Sequence, residues 1–233
     1  MAGRLTPPTT ESTPTLAPSV YSTALQSLVE LAKRNDPIAF VAAAEDIELR
    51  GPALDPTRLL IAVPLVLAYL VRDDVPPARF ALTRLPPALQ SEPLASHTFN
   101  LVASTAERKY PNVYARAVVL REFCEAKVDN PAFVQLISVL LDAFIDGFRK
   151  RAFDLVSKSY SSIPLNLAQF YLGLPEDRLV AETGKVGWTY ANGLLTPSKL
   201  QGAISAQNFG GNPSTVKTFE QMIDVVAQLE GGA

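Results

Sequence analysis

Histidine and cysteine are almost missing from this chain: His97 and Cys124 are the only ones among its 233 residues. A single cysteine excludes an internal disulfide and any Cys-x-x-Cys metal pair. A single histidine excludes a multi-histidine zinc site and the histidine metalloprotease motif. Charge of one sign is also lacking, since 21 Lys and Arg face 23 Asp and Glu, a formal net charge of -2. Proteins that grip nucleic acid through its phosphates carry a clear basic excess, so no nucleic-acid partner is expected. No basic segment followed by an apolar core opens the sequence, and no signal peptide is expected. The most apolar run, Leu59 to Val71, is shorter than the roughly 18 residues that a bilayer requires and contains Pro64. It predicts a buried helix, kinked or interrupted at that proline, with no membrane contact. A soluble, intracellular protein is expected, without metal or cofactor.

What is present is helical grammar. Hydrophobic residues make up 48% of the chain and charged residues 19%, ample for a core. Residues 1–19, rich in Pro, Thr and Ser, predict a disordered tail. From Val20 onward, apolar residues recur at helical spacing, as in Val20, Ala24, Leu28 and Leu31, and Asn35-Asp36-Pro37 stops that helix. Further helices are predicted over 38–49, 57–71, from about Pro77, and over 94–109 and 112–126, with prolines at the breaks. Residues 131–160 form the longest helical stretch. Phe133, Leu136, Ile137, Leu140, Leu141 and Phe144 make one face, continued by Phe148, Phe153 and Val156, and Gly147 is expected to divide or bend it. Short helices joined by short turns predict a solenoid-like array over 20–148.

After Tyr160 the pattern changes. Residues 163–172 read as a short helix, Pro175 opens another that Gly187 ends, and Trp188 to Thr196 reads as a hairpin turning at Asn192-Gly193. This is the order of a winged helix, assigned to 149–201. A Gly- and Asn-rich loop (202–213) and an amphipathic helix (214–230) follow. The fold class is therefore mainly α, a helical-repeat (TPR/HEAT-like) array followed by a small winged helix and a C-terminal helix.

Particular segments resemble a known family. Ala68 to Gln90, AYLVRDDVPPARFALTRLPPALQ, resembles the helical-repeat region of the small PCI-domain subunits of the COP9 signalosome, and Lys109 to Tyr114 fits one helix pair later. Arg149 to Ile163, RKRAFDLVSKSYSSI, is similar to the family's helix entering its winged helix, and FYLGL (170–174) and Gly187-Trp188 keep the family's order. The small proteasome-lid subunit and the k subunit of translation initiation factor three share the architecture. The resemblance covers about 68–197. It implies a non-catalytic place, in cytoplasm and nucleus, in the complex that removes the ubiquitin-like modifier Nedd8 from cullins, where a different, zinc-dependent subunit is the peptidase. The implied partners are other PCI-domain subunits.

The residues themselves offer little chemistry. His97, near a helix start, suits a capping or surface role, and Cys124 on an apolar face suits a buried thiol. Asp73-Asp74 suit a turn, while Glu45, Asp46 and Glu48 suit a solvated face and loop end. Arg149, Lys150, Arg151 and Lys158 are nearly cancelled by Asp142, Asp146 and Asp154, with Asp154 and Lys158 spaced as a helical ion pair. Residues 175–187 carry two cations against three carboxylates, a poor reading helix for DNA. Trp188 is expected to pack on Phe170 or Tyr171. Two interaction surfaces are predicted. Leu194, Leu195 and Thr196 would form an edge strand open to a neighbouring subunit's strand. Val216, Phe219, Ile223, Val226 and Leu229 would form a narrow apolar seam for a helical bundle.

Overall fold

Proline placement explains most of the helix starts. The computed structural model describes residues 20–197 except 35 and 53. The predicted tail (1–19), loop (202–213) and helix (214–230), with the seam Val216, Phe219, Ile223, Val226 and Leu229, lie outside the described residues. Ten helices and three short strands follow: α1 Val20–Lys33, α2 Pro37–Arg50, a 3-10 turn Pro56–Arg58, α3 Leu59–Val71, α4 Val75–Thr83, α5 Pro87–Gln90, α6 Pro93–Ala106, α7 Tyr110–Lys127, α8 Pro131–Ser159, β1 Ile163–Pro164, α9 Leu165–Leu172, α10 Glu176–Lys185, β2 Thr189–Ala191 and β3 Leu194–Thr196. Helices α2 and α4 through α8 all carry proline in the first turn, where its missing N–H costs nothing. Asp36 caps α2 by accepting from the N–H groups of Ile38 and Ala39, and Asn130 caps α8 through Phe133.

Helix α3 is the core element, apolar on every side and packed against α1, α2, α4, α6 and α8. It runs unbroken through Pro64, so of the kink or interruption expected there the interruption does not occur. A proline forfeits one internal hydrogen bond and crowds the preceding turn, but neighbours on all sides bury the residues around it and hold the helix together. Helix α8 likewise runs through Gly147 without division. Its apolar face, Phe133 through Phe148, is spent against α1, α3 and α7, and this packing outweighs the propensity cost of one glycine. The same packing accounts for a helix that by length and apolar composition alone could cross a bilayer.

The C-terminal module holds a finding that the sequence pattern concealed. Residues 163–164, expected to begin a helix, form strand β1, which pairs antiparallel with β3 through Ile163–Leu195 and Pro164–Leu194. The sheet order is β1-β3-β2, so β3 is the central strand and not an edge. The hairpin itself forms as expected, with Asn192 and Gly193 both at positive φ (51° and 75°), the left-handed pair that a two-residue turn requires.

Glu48 also departs from its expected solvated place. Its side chain is 5% exposed and lies between Arg58 and Arg84, each at 2.7 Å, tying α2 to the 3-10 turn and to the end of α4. Arg58 is itself only 11% exposed, so truncating Glu48 takes the paired carboxylate from a buried guanidinium. Glu48→Ala is expected to cost about 3 kcal/mol of stability in urea unfolding, as for other buried pairs that lose one partner. Arg84→Met, at a side chain that is half exposed, is expected to cost less than about 1 kcal/mol.

Candidate functional site

The groups that could carry chemistry are already engaged or buried. His97 lies within α6, half-buried, its ring 4.8 Å from that of Phe123. Cys124 is 1% exposed, and burial pushes its thiol up to about 11. Among the described residues no group of three His, Cys, Asp or Glu could hold a metal ion. Asp73 and Asp74 hold arginines, not backbone: Arg151 lies 3.4 Å from Asp73 and Arg72 lies 3.1 Å from Asp74.

The basic cluster of α8 is a fastening. Arg149 donates from Nε to the Leu172 carbonyl (3.2 Å) and stands 5.3 Å from the centre of the Tyr114 ring. Arg151 spans to Asp73 and to the Val71 carbonyl, fixing the loop after α3. The expected Asp154–Lys158 pair does not form among the described residues, whereas Arg121 pairs with Asp142. Around Arg149, an aromatic joint links α7, α8 and α9. Tyr110 lies 5.5 Å from Phe148 and 5.0 Å from Tyr171, and the Tyr114 hydroxyl donates to the Tyr171 carbonyl at 2.8 Å. Gly173 sits at φ 59° beneath the Tyr114 ring, where an added Cβ would fall 2.3 Å from a ring carbon. Trp188 stacks on Phe153 of α8 (4.7 Å, 30°) and not on Phe170, which is 49% exposed, nor on Tyr171, which the joint occupies.

With its own side chains so employed, the module presents a strand. Of the predicted edge residues, Leu195 is fully buried in the sheet, while Leu194 and Thr196 face out from a strand paired on both sides. The outer strands are β1 and β2, and of the two β2 is the one whose residues are all exposed. In a two-residue hairpin the pair that closes the turn, Ala191 and Leu194, is hydrogen-bonded, so Tyr190 points its N–H and C=O away from β3. All three β2 residues are exposed, and the Tyr190 hydroxyl meets Glu176 at the start of α10 (3.3 Å). The Asn192-Gly193 turn was a visible signal for this edge. The two-residue strand β1 gave none.

Because the thiol of Cys124 is both covered and held neutral, a disulfide reagent such as Ellman's is expected to leave it unreacted at pH 8. Full reaction is expected on unfolding in guanidinium, followed by absorbance.

The comparisons with known proteins bear on residues that this geometry brings together. Over 146 residues the chain is 26% identical to COP9 signalosome complex subunit 8 of Xenopus laevis, covering 60% of this chain and 67% of that one. The protein of the same name from Xenopus tropicalis is 27% identical over 146 residues, covering 60% and 68%. The CSN8/PSMD8/EIF3K family model matches residues 59–201, which run from the start of α3 through the whole sheet module. A match over more than half of the chain, embracing both the core helix and the β1-β3-β2 sheet, makes this chain a member of the CSN8/PSMD8/EIF3K family.

Proposed function

We propose that this protein is a non-catalytic scaffold subunit of a COP9 signalosome, supporting the assembly that removes Nedd8 from cullins. The observation that carries this reading is the open β2 edge, held on a module that is tied to the helical array by the joint at Phe148 and Arg149. Two signalosome subunits are among the relatives, which favours that complex over the proteasome lid or initiation factor three. We read β1-α9-α10-β2-β3 as a winged helix whose edge accepts a strand from a neighbouring PCI subunit. Its helix α10 exposes Glu176, Asp177 and Glu182 beside Arg178 and Lys185, a surface unsuited to phosphates. The C-terminal seam, Val216 to Leu229, supplies the second contact, a helix for a bundle formed with other subunits, since a lone helix of about 15 residues is marginal in water. The protein would act in cytoplasm and nucleus, where the complex works.

Two variants test the contacts separately. Tyr190→Pro removes the outward N–H without touching the β2–β3 ladder, so the free chain should keep its Tm within about 2 °C while co-purification with partner PCI subunits drops. Phe219→Asp with Ile223→Asp should likewise reduce incorporation, measured by quantitative mass spectrometry of the tagged complex, with the monomer's Tm almost unchanged. Full incorporation of both variants would overturn the two contacts, and absence of the wild-type chain from the tagged complex would overturn the scaffold reading.

A further inference from the structure

A cleft of about 590 Å³ opens between α4, the end of α6 and the middle of α8. Phe148 and Val75 line it, and Phe80, 64% exposed, stands at its rim. Two of the three non-glycine residues with positive φ among the described residues, Asp73 (65°) and Arg108 (51°), also line this cleft. Both end helices in the same way. After α3, Asp74 N–H bonds to the Tyr69 carbonyl (2.9 Å) and Asp73 N–H to that of Leu70 (3.1 Å). After α6, Lys109 N–H bonds to the Ser104 carbonyl (3.0 Å) and Arg108 N–H to that of Thr105 (3.2 Å). This arrangement favours glycine at the left-handed position, and a side chain there is strained. At Asp73 the carboxylate has a use, since it holds Arg151. The Arg108 guanidinium has no partner among the described residues, and neither has that of Arg79 on the opposite rim. An apolar cleft bordered by two unneutralised guanidiniums fits an acidic segment with apolar anchors.

The chain contains such a segment. Residues 216–230 combine the seam of Phe219, Ile223 and Val226 with one cation, Lys217, against three carboxylates, Glu220, Asp224 and Glu230. Glu220 and Asp224 are four residues apart, neighbours on one side of a helix. Residues 198–215 can span roughly 60 Å when extended, enough to reach the cleft from Pro197. We propose that in the free subunit the segment 216–230 lies in the α4–α6–α8 cleft, its apolar seam against Phe80 and Phe148 and its carboxylates toward Arg79 and Arg108. Assembly then draws the seam out of the cleft into the bundle, so the cleft shelters an aggregation-prone surface until partners arrive. The release step rests on the bundle reading above; the docking does not.

Hydrogen exchange followed by mass spectrometry on the full-length chain tests the docking. Amides of 219–227 should exchange at least tenfold more slowly than in a free peptide of residues 213–233. Arg79→Glu with Arg108→Glu should remove that protection, and adding Glu220→Lys with Asp224→Lys should restore most of it. Arg108→Gly provides a variant that cannot fail by strain: its Tm should hold or rise by a few degrees while the protection falls severalfold. Free-peptide exchange rates in the wild-type chain would overturn the docking, as would protection that survives charge reversal or that disappears on dilution, the sign of a second copy as host. Incorporation of the same variants into the complex is measured in parallel. An unprotected segment whose Phe219→Asp and Ile223→Asp form still fails to assemble would sink the docking and leave the scaffold reading standing.

Discussion

The fold depends on the packing of aromatic side chains around Phe148, midway along α8. The 29 residues of α8 make a rod of about 43 Å, whose first half serves the helical array and whose second half serves the sheet module. A rod alone transmits direction but not rotation about its own axis. Tyr110 and Tyr114 from α7 close on Phe148 from the sides, Tyr171 from α9 meets the Tyr110 ring edge-on, and Arg149 reaches the Leu172 carbonyl, so the module is fixed in rotation as well. The undivided passage through Gly147 accords with this, because a break there would separate Phe144 from Phe148, whose ring centres lie 5.7 Å apart. The open β2 edge therefore has a fixed position relative to the array, which any strand-to-strand assembly requires.

Charge is used in the same spirit. Arg58 and Arg84 are neutralised by Glu48, Arg72 by Asp74, Arg121 by Asp142 and Arg151 by Asp73. Of the nine ion-paired cations among the described residues, Arg58, Arg84, Arg121 and Arg151 link elements distant in sequence, whereas Arg79 and Arg108 at the α4–α6–α8 cleft have no carboxylate partner there. The buried Glu48 triad is costly to desolvate, but its two side-chain ion pairs fix where α2, the 3-10 turn and the end of α4 meet.

Helix order was legible in the sequence because prolines punctuate it: each of the breaks at Pro37, Pro87, Pro93, Pro111 and Pro131 became a first turn. The hairpin was legible because Asn192-Gly193 has one favoured conformation. Three features were not. Strand β1 is two residues long and acquires its identity only from β3, so no local period could announce it, and missing it turned a central strand into an expected edge. Glu48 sits among exposed carboxylates in α2, and its burial comes from arginines 10 and 36 residues away. Trp188 found Phe153 and not Phe170 because α8 extends far enough to lie under the hairpin, a matter of tertiary geometry.

A three-residue edge strand is a weak adhesive. With one outward residue it offers at most two backbone hydrogen bonds, and each contributes only about 1 kcal/mol net. Specific assembly through β2 therefore needs a second contact on the same chain, and the apolar seam beyond Pro197 provides one in sequence. Joined by the 18 residues of 198–215, the second contact would meet its partner at an effective concentration set by the tether and not by the bulk, so two modest contacts act as one strong one. The same tether makes the cleft on the subunit's own surface a competitor for the seam. Under the proposed docking, binding in cis would have to be weak enough for the proposed bundle to prevail and strong enough to shelter the apolar seam in the free chain. A cleft with two solvent-exposed guanidiniums over a small apolar floor would suit both conditions, since neither the modest, salt-screened charge contacts nor the apolar contact would hold the segment without the other.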